Sequence, residues 1–150
     1  MDSKQKVFLD SCVILSALFS KKGASYFILH EPIEVILQMS EYVFREIYQV
    51  IKDKHESQHE QLLNKLFYLL AESHVTFVPN PGKNELVNSE QLISKKDAPI
   101  LATALSQSDY LVTLDNEFFT EKVTQMAMFQ RLTIFKPGEF LEKYKTDGLN

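Results

Sequence analysis

The sequence predicts an α/β fold, a three-layer sandwich with a mainly parallel central sheet, and three observations carry that expectation. Short apolar runs at residues 7–9 and 110–114 have the length and continuity of strands buried on both faces, as strands of parallel sheets are. Longer segments with helical periodicity lie between the strand-like runs, an alternation that builds a parallel sheet covered by helices. Two of the runs end in an acid, Asp10 and Asp115, at the position where functional residues of open parallel sheets gather.

Residues 7–9, Val-Phe-Leu, read as the first strand, and the mostly apolar stretch 13–19 beyond Asp10 reads as a helix. Residues 21–23 break that helix, 25–30 suit a short second one, and 33–37 behind Pro32 offer the second strand. Ser40 is placed as an N-cap. After it Val43, Ile47, Val50 and Ile51 recur at helical spacing over roughly three turns, which sets Glu46 mid-helix. Residues 52–60 are almost wholly polar. Leu62, Leu63, Leu66, Phe67, Leu69 and Leu70 then mark an amphipathic helix ending near Ser73, followed by a strand at 75–78. The loop 79–83 contains two prolines and a glycine, and no element is predicted in the polar stretch that runs on to Ser94. Asp97 and Pro99 suit the first turn of a helix, with Asp97 as its cap and Ile100, Leu101, Ala104 and Leu105 as its apolar face. The strand at 110–114 runs into Asp115, and beyond Phe118 and Phe119 a last strand at 132–135 precedes Pro137 and a short terminal helix. No repeat, low-complexity tract or linker divides the chain, so one domain over residues 1–150 is expected.

Composition bounds the function. A chain of 150 residues with 45% hydrophobic residues, 11 Phe and 6 Tyr has the size and the side chains for an ordinary core. A formal charge of −4 argues against a broadly basic nucleic-acid surface, so a polyanionic partner must be met locally or through a metal. Cys12 is the only cysteine, which rules out an internal disulfide; between Ser11 and Val13 it reads as a small buried thiol rather than a nucleophile, and a reducing cytoplasm fits. Residues 7–9 are too short for the apolar part of a signal peptide. The densest apolar run, 66–71, falls far below the ~20 residues that cross a bilayer, so a soluble cytoplasmic protein without a membrane partner is expected.

An acid directly after an apolar strand is poorly explained by packing, because a carboxylate there needs a donor, a cation or water. Each of Asp10 and Asp115 alone could be a helix cap; two at strand ends favour a shared site. Clustered carboxylates raise each other's pKa, a divalent cation offsets that repulsion, and oxygen ligands favour magnesium or manganese.

Residues 96–104, Lys-Asp-Ala-Pro-Ile-Leu-Ala-Thr-Ala, followed by Ser108-Asp109-Tyr110-Leu111-Val112-Thr113-Leu114-Asp115, resemble the PIN-domain family. That family carries an Asp opening an Ala-rich helix, a small-Asp-Tyr-Leu-Val-Thr strand and a final Asp. The opening Phe8-Leu9-Asp10-Ser11-Cys12-Val13-Ile14-Leu15 is similar to its first motif. Ser40-Glu41-Tyr42-Val43-Phe44-Arg45-Glu46-Ile47 is similar to its helix bearing the second acid, and Ile134-Phe135-Lys136-Pro137-Gly138-Glu139-Phe140-Leu141 to its last strand and helix. The resemblance spans nearly the whole chain and implies a PIN-like sandwich. It implies an acidic site of Asp10, Glu46, Asp97 and Asp115 holding one or two Mg2+ or Mn2+ ions, with Ser11, Thr113 and Asn116 supporting them. The implied activity is hydrolysis of RNA phosphodiesters by metal-activated water. Family members that look like this chain are often toxins of bacterial toxin–antitoxin pairs, commonly dimeric, so a small antitoxin and a homodimer are implied partners beside the RNA substrate.

Other features are weighed against plainer explanations. Asp109, at a helix-to-strand turn, reads as structural, and Glu41 as part of a solvated face. His55-Glu56-Ser57-Gln58-His59 matches the H-E-x-x-H zinc motif, but Lys52, Asp53, Lys54, Glu60 and Gln61 flank it and leave little apolar face, so an exposed connector is expected. Glu85 could serve as a third zinc ligand, though nothing in its context singles it out. A phosphatase using Asp10 as nucleophile commonly wants another Asp two positions on, where Cys12 stands. The alternative function is a non-catalytic RNA-binding or protein-interaction module on the same fold, which the presence of all four acids disfavours. Lys21, Lys22, Lys95 and Lys96 are candidates for phosphate contact, with solvated loop lysines as the plain reading.

Overall fold

The computed structural model describes residues 4–147. Its strands are β1 (Gln5–Leu9), β2 (Val35–Ser40), β3 (Thr76–Val78), β4 (Tyr110–Val112) and β5 (Thr133–Phe135). Its helices are α1 (Ser11–Phe19), α2 (Ala24–His30), α3 (Glu41–Lys54), α4 (His59–Glu72), α5 (Lys83–Glu90), α6 (Ala98–Gln107), α7 (Glu121–Phe129) and α8 (Pro137–Asp147). The sheet order is β3-β2-β1-β4-β5 and every neighbouring pair is parallel, with Val7 opposite Leu37 on one side and Tyr110 on the other. The predicted α/β architecture with a parallel central sheet is therefore the observed one.

The central strand is apolar because helices cover both of its faces: Val7, Phe8 and Leu9 have no exposed surface, and Leu111 and Val112 of β4 are equally buried. Helix α3 binds this sheet through Val43, Ile47 and Ile51, one residue per turn, all fully buried. Burial of each such side chain stabilises by about 1.5–3 kcal/mol, more than helix propensity contributes, so tertiary packing sets the rotation of α3 and hence where Glu46 points. Val50, expected on the same face, lies at its half-buried border. Helix α6 buries every residue from Ala98 to Ala104, and its neighbours are α5 and α3.

Several boundaries differ from expectation. The second strand begins at Val35 rather than residue 33, because Ile33 closes a tight turn on the Glu31 carbonyl at 2.8 Å directly after Pro32. Ser40 consequently ends β2 and caps α3 at once, its hydroxyl accepting from the Val43 amide at 3.3 Å. β4 stops at Val112, with the Thr113 amide still donating to the Phe135 carbonyl at 3.0 Å. β5 starts at Thr133, after Arg131 turns the chain at a φ of 62°. Helices α5 and α7 were not anticipated: α5 buries only Ser89, and α7 only Val123 and Ala127, so neither shows a readable apolar stripe.

Residues 55–59 do not form one helix. α3 ends at Lys54, His55 has φ −135° and ψ 44°, a 3-10 turn occupies Glu56–Gln58, and His59 opens α4. The His55 ring packs on Phe19 with centroids 4.9 Å apart, so the two imidazoles lack the single helical face a zinc motif requires. No single helix among the described residues is long and apolar enough to cross a membrane.

Candidate active site

β1 and β4 flank the point where the chain's connections diverge to opposite halves of the sheet, the usual place for a site in an open parallel sheet. Asp10 stands immediately beyond β1. Its Oδ1 accepts from the Ser11 amide at 2.7 Å and faces the Ser11 hydroxyl at 3.4 Å, and its Oδ2 accepts from Thr113 Oγ1 at 2.6 Å and from the Cys12 thiol at 3.4 Å. Asp10 thus caps α1 and is also tied to the end of β4. The same Thr113 hydroxyl accepts from the Asp115 amide at 3.0 Å, so one fully buried side chain links the acid of β1 to the acid beyond β4.

Asp97 occupies the cap position of α6, but its carboxylate makes no cap hydrogen bond, which corrects the expectation that it caps that helix. Its φ and ψ of −94° and −13° are already close to helical, unlike the extended backbone a capping residue adopts. The carboxylate instead receives the Ser94 hydroxyl at 3.3 Å on Oδ2, and that hydroxyl also reaches Glu117 Oε2 at 3.4 Å. One oxygen from each of Asp97, Asp115 and Glu117 lies within 4.8 Å of the others. Sequence reasoning missed Glu117. The available signal was the spacing Asp115-Asn116-Glu117: the Glu117 amide donates to Asp115 Oδ1 at 2.9 Å, closing a 3-10 turn over Asn116–Phe119 and bringing the second carboxylate back to the first.

Glu46 completes the group. Its Oε1 is buried with no hydrogen-bond partner among the described residues, an arrangement that costs free energy unless a proton or a cation satisfies it. Burial, then the Asp10 charge, pushes its carboxyl up to about 7, offset in part by Lys96 and the Ser11 hydroxyl and reinforced by Asp115. Asp97 is pushed up to about 8, first by burial, then by hydrogen bonding with Glu117 and by the charge of Asp115. Asp10 is raised as well, because burial outweighs the Thr113, Ser11 and Cys12 hydrogen bonds. The four acids expected from the sequence therefore sit in one another's electrostatic reach. The donor set is all oxygen, and a divalent cation would answer both the orphaned oxygen and the mutual repulsion.

The surrounding residues take distinct parts. Cys12 is half-buried rather than buried, and burial beside Asp10 pushes its thiol up to about 12, so it stays protonated as a donor to that carboxylate. Asn116 has no hydrogen bond to the four acids among the described residues; its side-chain oxygen accepts from Lys136 Nζ at 2.6 Å, and Lys136 lies 5.2 Å from the Phe119 ring centre. Lys96 acts on Glu46, whereas Lys21 and Lys22 lie in the α1–α2 link with no hydrogen bond to the acids among the described residues. Asp109 works at the opposite end of β4. Its Oδ2 accepts from the Lys6 amide at 2.8 Å and its own amide donates to the Lys6 carbonyl at 2.9 Å, stitching β4 to β1.

The profile of the PIN domain family matches residues 6–117, a stretch that runs from β1 through Glu117 and includes every acid of the site. In structure the chain is similar to VapBC2 from Rickettsia felis, crystallised bound to a DNA fragment from their promoter, with a TM-score of 0.64 and 16% identity over 86% of this chain and 96% of that one. It is also similar to PAE2754 from Pyrobaculum aerophilum, with a TM-score of 0.62 and 15% identity over 84% of this chain and 95% of that one. At such identities the likeness is one of fold. A search of curated proteins gives no match. The profile covers most of the chain and all of the site, and the chain belongs to the PIN-domain family.

Proposed function

We propose that this PIN domain is a metal-dependent endoribonuclease whose Asp10, Glu46, Asp97 and Asp115, joined by Glu117, hold Mg2+ or Mn2+ beside the scissile phosphate of an RNA strand. The observation that carries the reading is the orphaned, buried Oε1 of Glu46 among acids whose carboxyls are raised to about 7 and about 8. Such a set binds protons or a hard cation, and oxygen donors suit magnesium and manganese. When bound, the cation would lower the pKa of water and neutralise charge on the phosphoryl oxygens.

The chain's own residues do the rest. Thr113 and Ser11 orient Asp10, Thr113 also fixes the backbone at Asp115, and Ser94 holds Asp97 and Glu117 on one hydroxyl. Lys96, facing Glu46, supplies a cation at the cleft edge for an RNA phosphate. The likeness of its motifs to toxins of bacterial toxin–antitoxin pairs, together with the fold shared with VapBC2, supports a cytoplasmic toxin that forms a homodimer and is held by a small antitoxin.

The test is manganese calorimetry on wild type and Asp10→Asn, followed in the same tubes by cleavage of an unstructured single-stranded RNA. Wild type should bind and cleave, and the variant should do neither. Metal-independent cleavage overturns the proposal. Absence of manganese binding does so too, and would favour a non-catalytic RNA-binding or protein-interaction module on this fold.

A further inference from the structure

A cavity of about 420 Å3 opens between α5, α6 and α7, outside the carboxylate cluster. We propose that it is a nucleobase pocket, taking the base of a nucleotide that flanks the scissile phosphate; this rests on the ribonuclease reading and names how that site would select its substrate. Position is the first argument. Leu92 forms part of the near wall, and Ser94, two residues on, holds Asp97 and Glu117, so the wall and the site are at most about 7 Å apart along the chain. Ala102 lines the same wall from α6, about 7.5 Å along the helix axis from Asp97. Between Ser94 and Asp97 stand Lys95 and Lys96, both exposed. These two cations stand beside the carboxylates, where the phosphates of a bound strand would lie.

The lining chemistry is the second argument. Leu92, Leu105 and Met126 offer an apolar surface for the face of a planar ring, while Asn88, Gln91 and Gln130 bring carboxamides to its rim. Each carboxamide presents a donor and an acceptor, the combination that reads a base edge. Neither Asn88 nor Gln91 commits its side chain to a protein hydrogen bond among the described residues. The lining holds no lysine or arginine, so a phosphate is not what it is built for, and its one charged group, Glu85, accepts from an exocyclic amine. Single-stranded RNA is read in this way, with unstacked bases hydrogen-bonded on their edges. The chemistry favours adenine, cytosine or guanine over uracil.

Two measurements test the proposal. In the first, 15N-labelled protein without metal is titrated with each of the four nucleoside 5′-monophosphates. Amides of Ser89, Gln91, Leu92 and Gln130 should shift with at least one amine-bearing base, more than with uridine monophosphate, and the response should be lost in Asn88→Leu/Gln91→Leu, whose exposed substitutions leave the spectrum otherwise intact. No shifts at these residues, or shifts confined to Lys95 and Lys96 and equal for all four nucleotides, overturn the pocket. In the second, cleavage positions in a random single-stranded RNA pool are mapped with manganese. Wild type should favour an amine-bearing base at one flanking position, and the double variant should weaken that preference about tenfold. An unchanged preference refutes the pocket while leaving the nuclease intact. Should wild type cleave nothing, the nuclease reading fails and the amide shifts alone decide the pocket.

Discussion

Asp97→Asn in the metal-free protein probes the electrostatics of the site without reference to catalysis. The carboxyl of Asp97 is raised from 3.8 to about 8 in the folded state, while in the unfolded chain it ionises near its ordinary value. Between those two values the folded chain holds a proton that the unfolded chain has released, so stability falls as pH rises from about 4 to about 8. Below that window both states are protonated and there is no penalty; above it the penalty is complete and constant. At roughly 1.4 kcal/mol per pH unit, the displacement of an isolated, fully enclosed group would approach ~6 kcal/mol. Asp97 is itself buried, but the Asp115 and Glu117 carboxylates beside it open to solvent, and screening there reduces the expected difference to about 2–3 kcal/mol.

Asparagine keeps the volume and cannot ionise, so the variant should lose that part of the pH dependence. Urea denaturation in the presence of a chelator, at about pH 3.5 and about pH 8.5, measures it directly. The two proteins should match at the lower pH, and Asp97→Asn should be the more stable by about 2–3 kcal/mol at the higher one. Manganese at a thousandfold its Kd should reverse the order at high pH, since it adds about 4.1 kcal/mol to the form that binds it. A variant no more stable than wild type at about pH 8.5 without metal would refute the claim that burial and the neighbouring carboxylates disfavour the ionised Asp97.

Manganese binding at neutral pH should release protons, because Asp97 and Glu46 hold them near pH 7 without metal; calorimetry in two buffers of different ionisation enthalpy measures the number, and a value of zero contradicts the raised carboxyls. Thr113→Val leaves the Asp115 amide without its acceptor and removes the shortest hydrogen bond to Asp10, so it should destabilise by about 1–3 kcal/mol and weaken manganese binding about tenfold or more. An unchanged Kd in that variant would show that the hydroxyl does not orient the acid. Asp109→Ala should cost about 1–2 kcal/mol through the lost Lys6 hydrogen bond, with manganese affinity untouched, since the carboxylate lies at the far end of β4.

What the sequence revealed follows from where burial is complete. β1 and β4 are enclosed on both faces, so their apolar runs are unbroken and the acids beyond them are conspicuous. Helices α5 and α7 went unseen for the opposite reason: Ser89 alone, or Val123 with Ala127, is too sparse a face to register as periodic. Glu117 was hidden by the same polarity, for an exposed glutamate in an acidic turn looks like solvated surface until the Asp115 cap folds it back.

Glu46 is the instructive case, because resemblance supplied it and geometry could have. At about 100° per residue, position 46 lies beside the buried stripe of Val43, Ile47 and Ile51 rather than opposite it, and this border placement forces a carboxylate to be half-buried. Glu41, on the same helix, sits in the first turn, exposed, and pairs with Arg45 at 2.8 Å. The two glutamates therefore differ in sequence terms before any fold is known: one lies off the stripe next to a basic partner four residues on, the other against the stripe with no cation at i+3 or i+4. In a helix that begins directly from a strand end, as α3 does at Ser40, an acid on the stripe border within the first two turns is carried over the carboxyl edge of the sheet, where Asp10 already stands.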